Sequence, residues 1–374
     1  MHPTGAAISS FLASQFENEN GFREETSIMT KRTTPIAVAV AIALGGITGL
    51  SNAASAQEQN LIFGTGGTSG SYYPIGGALK GVFEESDQVG DVQVVSTGAS
   101  VANIQNIQDG LNQIAIVMSD VAYDAVEGTG QFEGNPVDLK AIAGLYPNVV
   151  QIVATGDSGI TSVADLEGKR IGVGKVGSGV EQSAQKVLEA AGLTYDDMAR
   201  VTHTGYADSV TEMNNGTLDA AFFTSGVPNS SITGLMQSSE VTFVPVEGDI
   251  ASKLLESYPF YVNYEIPAND DAAYSIESAV QTVAIRNMLV VPGSMDEALA
   301  GELAKRFSDY LQSGSVSVSA LTQFDPATMD EGLVAPVHPG AQSFYDSGSG
   351  EGAASGSGDG AASQEAESGE AATQ

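Results

Sequence analysis

From residue 61 onward, short apolar runs alternate with segments whose apolar residues recur every three or four positions. That alternation predicts strand–helix units built around parallel sheets, an α/β fold. Leu61–Phe63 reads as a strand. A glycine-rich loop follows, then a helix with Ile75, Leu79, Val82 and Phe83 on one face. Asp91–Thr97 reads as a second strand. Ser100 stands where it can cap the next helix, whose Val101, Ile104, Ile107 and Leu111 lie near one stripe and which Gly110 ends. The unbroken run Ile114–Met118 has the character of a strand buried on both faces.

The pattern restarts after residue 150. Arg170–Val173 is a strand, Gly174–Gly179 a second glycine-rich loop, and Val180–Ala191 a helix stopped by Gly192. Thr97-Gly98, Asp109-Gly110 and Ser119 match Thr204-Gly205, Asn215-Gly216 and Ser225 in order. Gly110 and Ser119 stand nine positions apart, as do Gly216 and Ser225. Between them lie Ile114–Met118 and Ala220–Phe223, each an apolar strand leading to a hydroxyl residue. Two lobes of like topology follow from this spacing. Val149–Thr155 and Ala279–Val290 read as crossovers between them. Lobe 1 is then discontinuous, 57–150 plus 285–346, and lobe 2 is 151–284. Hinge-linked lobes of this kind open and close around a ligand.

The chain ends are of different character. Lys31 and Arg32, the apolar run Ile36–Leu50 and the small-x-small site Ala54-Ser55-Ala56 read as a signal peptide over 29–56, cleaved near Ala56. The apolar run is too short and too rich in Ala and Gly for a spanning helix. Residues 1–28 are expected to be a mis-annotated extension, with translation starting at Met29. Residues 347–374 form a Gly/Ala/Ser tail with acidic residues and no basic ones, a composition that cannot offset its ordering entropy and predicts disorder. An exported, periplasmic or extracytoplasmic, soluble protein is expected.

Charge narrows the partners. Lys and Arg number 14 against 46 Asp and Glu, a formal charge of −32. Nucleic acid and anionic membrane surfaces need a basic footprint, so both are disfavoured. There is no Cys, hence no lipid anchor, disulfide or thiolate. The three histidines, His2, His203 and His338, have no metal-ligand spacing and no evident catalytic partner. No metal and no cofactor are expected.

The densest chemical signal is Gly64-Thr65-Gly66-Gly67-Thr68-Ser69-Gly70-Ser71-Tyr72-Tyr73, between a strand and a helix. Glycines let backbone N–H groups converge, and the helix N-terminus adds positive potential, so the loop suits an anion. It is not a dinucleotide fingerprint. Position 69 is not glycine, and the second strand ends at Thr97 without an acidic residue for a ribose. Nor is it a P-loop, because no Lys-Ser or Lys-Thr follows. Neither glycine loop contains the Gly-x-Ser-x-Gly elbow of a hydrolase. Gly177-Ser178-Gly179 is a second cradle at the equivalent place in the other lobe, with Lys175 nearby as a solvated residue. Two such loops face each other across a cleft and hold a dianion without a buried Arg. Ser100, Ser119, Thr224, Ser225 and Gly226, from strand ends facing that cleft, join the candidate ligand contacts. Asp120 reads as a helix cap, and Tyr146 and Tyr206 as cleft walls or core.

Five segments together resemble one family: Gly64–Leu79, Leu145–Ala154, Ala164–Gly179, Asp219–Pro228 and Pro336–Tyr345. They are similar, in order, to the TAXI family of TRAP-transporter substrate receptors. The resemblance implies a two-lobed type II periplasmic-binding-protein fold. It also implies a TRAP permease partner with fused small and large membrane components, and a small carboxylate ligand such as glutamate or 2-oxoglutarate. By motif match it implies ligand contact at Thr65, Gly67, Ser71, Tyr72, Ser178 and Gly179. The acidic tail departs from the family's usual ending.

A non-catalytic transport receptor is therefore the expected function. The alternatives are a ligand-sensing protein for a membrane signalling receptor and an exported serine-type hydrolase, the latter disfavoured because no base is spaced to activate a serine.

Overall fold

The computed structural model describes residues 58–348 apart from 271, 272 and 323. The extension expected over 1–28, the signal peptide over 29–56 and all but the first two residues of the tail lie outside the described residues.

The first half runs β1 (Gln59–Gly64), α1 (Tyr72–Phe83), β2 (Val89–Val95), α2 (Ser100–Gln108), β3 (Ile114–Met118) and α3 (Ser119–Glu127). The long β4 (Leu139–Thr155) leads into β5 (Arg170–Gly172), α4 (Gly179–Ala190), β6 (Arg200–Thr202), α5 (Tyr206–Asn214) and β7 (Ala220–Ser225). Next come α6 (Ser230–Ser238), β8 (Val241–Val244), α7 (Gly248–Ser257), β9 (Tyr261–Ile266) and the second long strand, β10 (Val280–Pro292). Three helices close the chain: α8 (Glu297–Gln312), α9 (Ser319–Thr322) and α10 (Pro339–Asp346).

Helix α1 buries Ile75, Leu79 and Phe83 on one face, at about 1.5–3 kcal/mol each, which fixes how its N-terminus points. All of β3 is buried, as a strand covered on both faces must be.

One sheet carries ten strands, with the main path β2-β1-β3-β10-β4-β7-β5-β6. In one half β1 lies parallel to both β2 and β3; in the other β5 lies parallel to both β6 and β7. Each parallel trio is bordered by an antiparallel strand, β10 beside β3 and β4 beside β7. The two bordering strands also pair with each other, from Ala284↔Val149 to Pro292↔Leu139. The internal match in the sequence is thus a match of topology. Gly110 and Gly216, at φ +73° and +67°, end α2 and α5 before β3 and β7 begin. The fold is α/β with two like halves, in keeping with the two-lobed class expected.

Three local expectations are corrected. The sheet is mixed and continuous rather than two parallel sheets, because β4 and β10 are long enough to serve both halves and run against their neighbours. Strand β2 lies two residues earlier than Asp91–Thr97, since the hydroxyls of Ser96 and Thr97 turn to the backbone of the first loop, at Gly66 O and Thr65 O. Ser100 is not the cap of α2. Ala99 occupies that position, and the Ser100 hydroxyl instead accepts the Met118 N–H at 3.1 Å.

Candidate functional site

The loops that follow β1, β2, β5 and β6 converge on one cavity of about 310 Å³. Each loop opens a helix, so the N-termini of α1, α2, α4 and α5 all border it, at Ser71, Ala99, Ser178 and Gly205. The first-turn N–H groups of a helix have no intrahelical acceptor, and the helix dipole adds positive potential there. Four such ends around one space make a strong anion-accepting field. The ionisable chemistry is otherwise sparse. Lys175 and Asp208 line the cavity, both on exposed residues, and no Arg or His does so among the described residues.

The loops are held in place from behind. The Asn103 amide, fully buried, donates to Thr65 O at 2.7 Å and to Ile116 O at 2.9 Å, tying the β1 loop to β3. Thr97 Oγ1 lies 2.8 Å from Thr65 O and accepts the Ala99 N–H at 2.9 Å. Ala99 itself sits at φ 74° and ψ −143°, a region costing a residue with a Cβ about 1–3 kcal/mol, and strain of this kind collects at functional sites.

The walls are aromatic and amide. The Tyr72 hydroxyl donates to Asn287 Oδ1 at 2.5 Å and receives Asn148 Nδ2 at 3.4 Å, while Asn287 Nδ2 donates to Tyr146 O at 3.0 Å. The Tyr206 hydroxyl donates to Thr224 O at 2.8 Å. Burial pushes the Tyr72, Tyr146 and Tyr206 phenols up, so all three stay neutral. Among the described residues three buried polar atoms of wall residues have no protein partner: Tyr146 Oη, Asn148 Oδ1 and Thr224 Oγ1. A buried polar atom left unpaired is costly unless a ligand or water meets it.

The two halves meet tightly around this space. A Cβ on Gly179 would lie 2.7 Å from Met118 Cε and 3.0 Å from Ser100 Oγ, so glycine lets the α4 N-terminus approach β3 and α2 without displacing the Met118 side chain. A Cβ on Gly70 would lie 3.5 Å from the Tyr206 ring.

Of the residues singled out from sequence, Gly67, Ser71, Tyr72, Ser100, Ser178, Gly179, Thr224 and Ser225 line this cavity. Thr65 does not. It is fully buried, and its hydroxyl donates to Val95 O at 2.6 Å, bracing the loop against β2. Ser119 and Gly226, the first residues past β3 and β7, line a different cavity, while the last strand residues Met118 and Ser225 stay in this one. Asp120 is not the cap of α3, whose N-cap is Met118; it lies inside the first turn, where its Oδ1 accepts the Val121 N–H at 2.8 Å and its other oxygen serves an ion pair. Tyr146 and Tyr206 stand in the wall. Sequence reading passed over Asn148. Its signal was an amide standing between Tyr146-Pro147 and the largely apolar run Val149–Ala154. Gly205 and Asp208 were missed because a helix start with no serine cap leaves little trace.

His338 caps α10 by accepting the Gly340 N–H, and His203 Nδ1 lies 3.0 Å from Glu181 Oε1. Neither faces the serines of the cavity. Among the described residues no group of acidic and histidine side chains is arranged to hold a metal ion. No helix among them is long and apolar enough to cross a membrane.

Solved structures similar to this chain include the alkanesulfonate-binding protein SsuA from Xanthomonas axonopodis pv. citri bound to MOPS, 15% identical, with a TM-score of 0.43, over 75% of this chain and 86% of that one. PhnD1 from Prochlorococcus marinus in complex with methylphosphonate is 10% identical, with a TM-score of 0.47, over 72% and 90%. A structure described for glutathione import via GshT in Streptococcus mutans is 16% identical, with a TM-score of 0.45, over 76% and 100%. The family match is broader than any of these in what it decides. Residues 63–347 match the NMT1-like family, and the chain belongs to it.

Proposed function

We propose that this protein is the solute receptor of a membrane transporter, binding a small organic anion and handing it on without chemical change. The observation that carries the reading is the convergence of four helix N-termini on one cavity whose lining has no Arg. Such a site neutralises a carboxylate with backbone N–H groups and the hydroxyls of Ser71, Ser100 and Ser178. At about 310 Å³ it lies at the small end of ligand cavities and suits a C4–C6 mono- or dicarboxylate such as glutamate or 2-oxoglutarate. Serines without a histidine base in the same cavity argue against hydrolysis.

The lobes, 57–150 with 285–346 and 151–284, close on the ligand and remove it from water, and the closed form docks on the permease. The sequence resemblance to the TAXI receptors points to a TRAP permease with fused membrane components as that partner.

Melting temperature is the direct test, screened against C4–C6 carboxylates, amino acids and neutral sugars. A ligand at 100 times its Kd adds about 2.7 kcal/mol, several degrees for a domain of this size. A rise with a carboxylate that is recovered unchanged supports the reading. A rise only with a neutral sugar or a nucleotide overturns it.

A further inference from the structure

Tyr146 also forms part of a second cavity, of about 830 Å³, that none of the four converging helix ends borders. Its wall is largely apolar, with Leu145, Phe260, Val262, Phe324 and Val334. One cation stands in it, Arg286 on β10. Among the described residues Arg286 has no carboxylate within ion-pair distance. Its Nη2 donates to the carbonyl and hydroxyl of Thr328, its Nε is buried with no acceptor, and the guanidinium lies 5.6 Å from the Phe324 ring centre. Burial draws the guanidinium pKa down, with Glu331 and Asp330 opposing only from a distance.

A second polar group is also left unmatched. The Ser119 hydroxyl lines the same cavity, on a residue with 0% exposure, and has no hydrogen-bond partner. A half-buried cation without a counter-ion within ion-pair distance and an unpaired buried hydroxyl, both in the wall of a large apolar space, are deficits that a bound anion would relieve. Asp325 lines the cavity as well. Its Oδ1 accepts the Ala327 N–H at 2.9 Å, and its charge disfavours a second anionic group on any ligand.

We propose that this cavity is a second ligand site, taking a monoanion with an aromatic or branched apolar body. The carboxylate or sulfonate lies against Arg286, and the body lies against Phe260 and Phe324. The site is separate from the carboxylate cavity and does not depend on what that cavity binds. Its volume falls in the range of sites that enclose a drug-sized molecule.

The test uses the full chain and 8-anilinonaphthalene-1-sulfonate, a fluorescent aromatic monosulfonate; the chain has no Trp to interfere. Saturable binding near one equivalent is expected, at dye levels that leave the melting transition cooperative. Arg286→Gln weakens it about tenfold, the loss of one charge-assisted hydrogen bond. Val262→Asp, at a residue 54% exposed on the cavity wall, weakens it similarly and carries the test if the arginine variant fails to fold. Gly67→Phe, which obstructs the first cavity, leaves dye binding unchanged while removing carboxylate binding. Absence of saturable binding, equal affinity in the folded variants, or loss of the dye with Gly67→Phe would each overturn the proposal.

Discussion

Lys186 Nζ lies 2.8 Å from Asp120 Oδ2 and so joins α4 to α3 across the two halves of the fold. The Asp120 side chain is fully buried, and the ammonium also sits 5.2 Å from the Tyr258 ring centre and 5.7 Å from that of Phe260. Lys186→Met strands a buried carboxylate and is expected to destabilise the protein by about 3–5 kcal/mol, measured by urea unfolding. Adding Asp120→Asn removes the stranded charge and recovers a large part of the loss.

The same pair has a pH signature. Burial pulls the Lys186 pKa down, but attraction and hydrogen bonding to Asp120 more than reverse this, leaving it above the ordinary lysine value. A cation whose folded pKa is raised contributes stability that is fully present below its unfolded pKa, about 10.4, and is lost as pH rises through the folded value. Unfolding free energy measured between pH 8 and 11.5 is therefore expected to fall at the alkaline end. Lys186→Met removes that part of the fall.

Thr224→Val separates binding from stability. The Thr224 hydroxyl is buried, lines the first cavity and has no protein partner, so its removal is expected to leave the melting temperature of the free protein unchanged or slightly raised. Carboxylate affinity should fall about tenfold by calorimetry, or about 1.4 kcal/mol.

Gly179→Val tests the close approach of the halves. The added carbons would meet Met118 and Ser100, holding α4 away from β3 and α2. Ligand affinity is expected to drop more than tenfold, with a smaller effect on the free protein, as the proposed opening of the lobes requires.

Salt should speed the capture of an anion. With a formal charge of −32 the protein repels an anionic ligand at long range even though the cavity itself attracts it. Stopped-flow association rates are expected to rise from 10 mM to 0.5 M NaCl, as a Debye length of about 30 Å shrinks below 10 Å.

How far the sequence foretold this arrangement depended on the kind of signal. The strand Ile114–Met118 matches the observed β3 at both ends, because five apolar residues in a row leave a buried strand few alternatives. The glycine loops were visible by composition, and the second needs its glycines, with Gly174 at φ +86° and Gly177 at φ +70°, whereas no glycine of the first lies at positive φ. What sequence could not reveal was direction. Thr65 and Ser71 belong to one loop, yet the first turns its hydroxyl to Val95 O and the second borders the cavity. Likewise Ser119 and Ser225 occupy matched positions in the sequence, but Ser225 is still in β7 and borders the first cavity, whereas Ser119 already opens α3 and borders the second. Side-chain direction at a strand end is set by pairing distant in the chain. Asn148 and Asn287, from the two crossing strands, meet Tyr72 only through that pairing.

The pairing of β3 with β10 also orders events during synthesis. On one edge of β3, Met118, Val117, Ile116 and Ala115 find their partners in residues 287–290, made after most of the second half. Until then the ribosome holds a fully apolar strand with one open edge, the kind of surface that chains recruit from one another. The nascent first half must be shielded from other chains until its last strand emerges, whereas the second half receives its bordering strand, β4, before β5 is made.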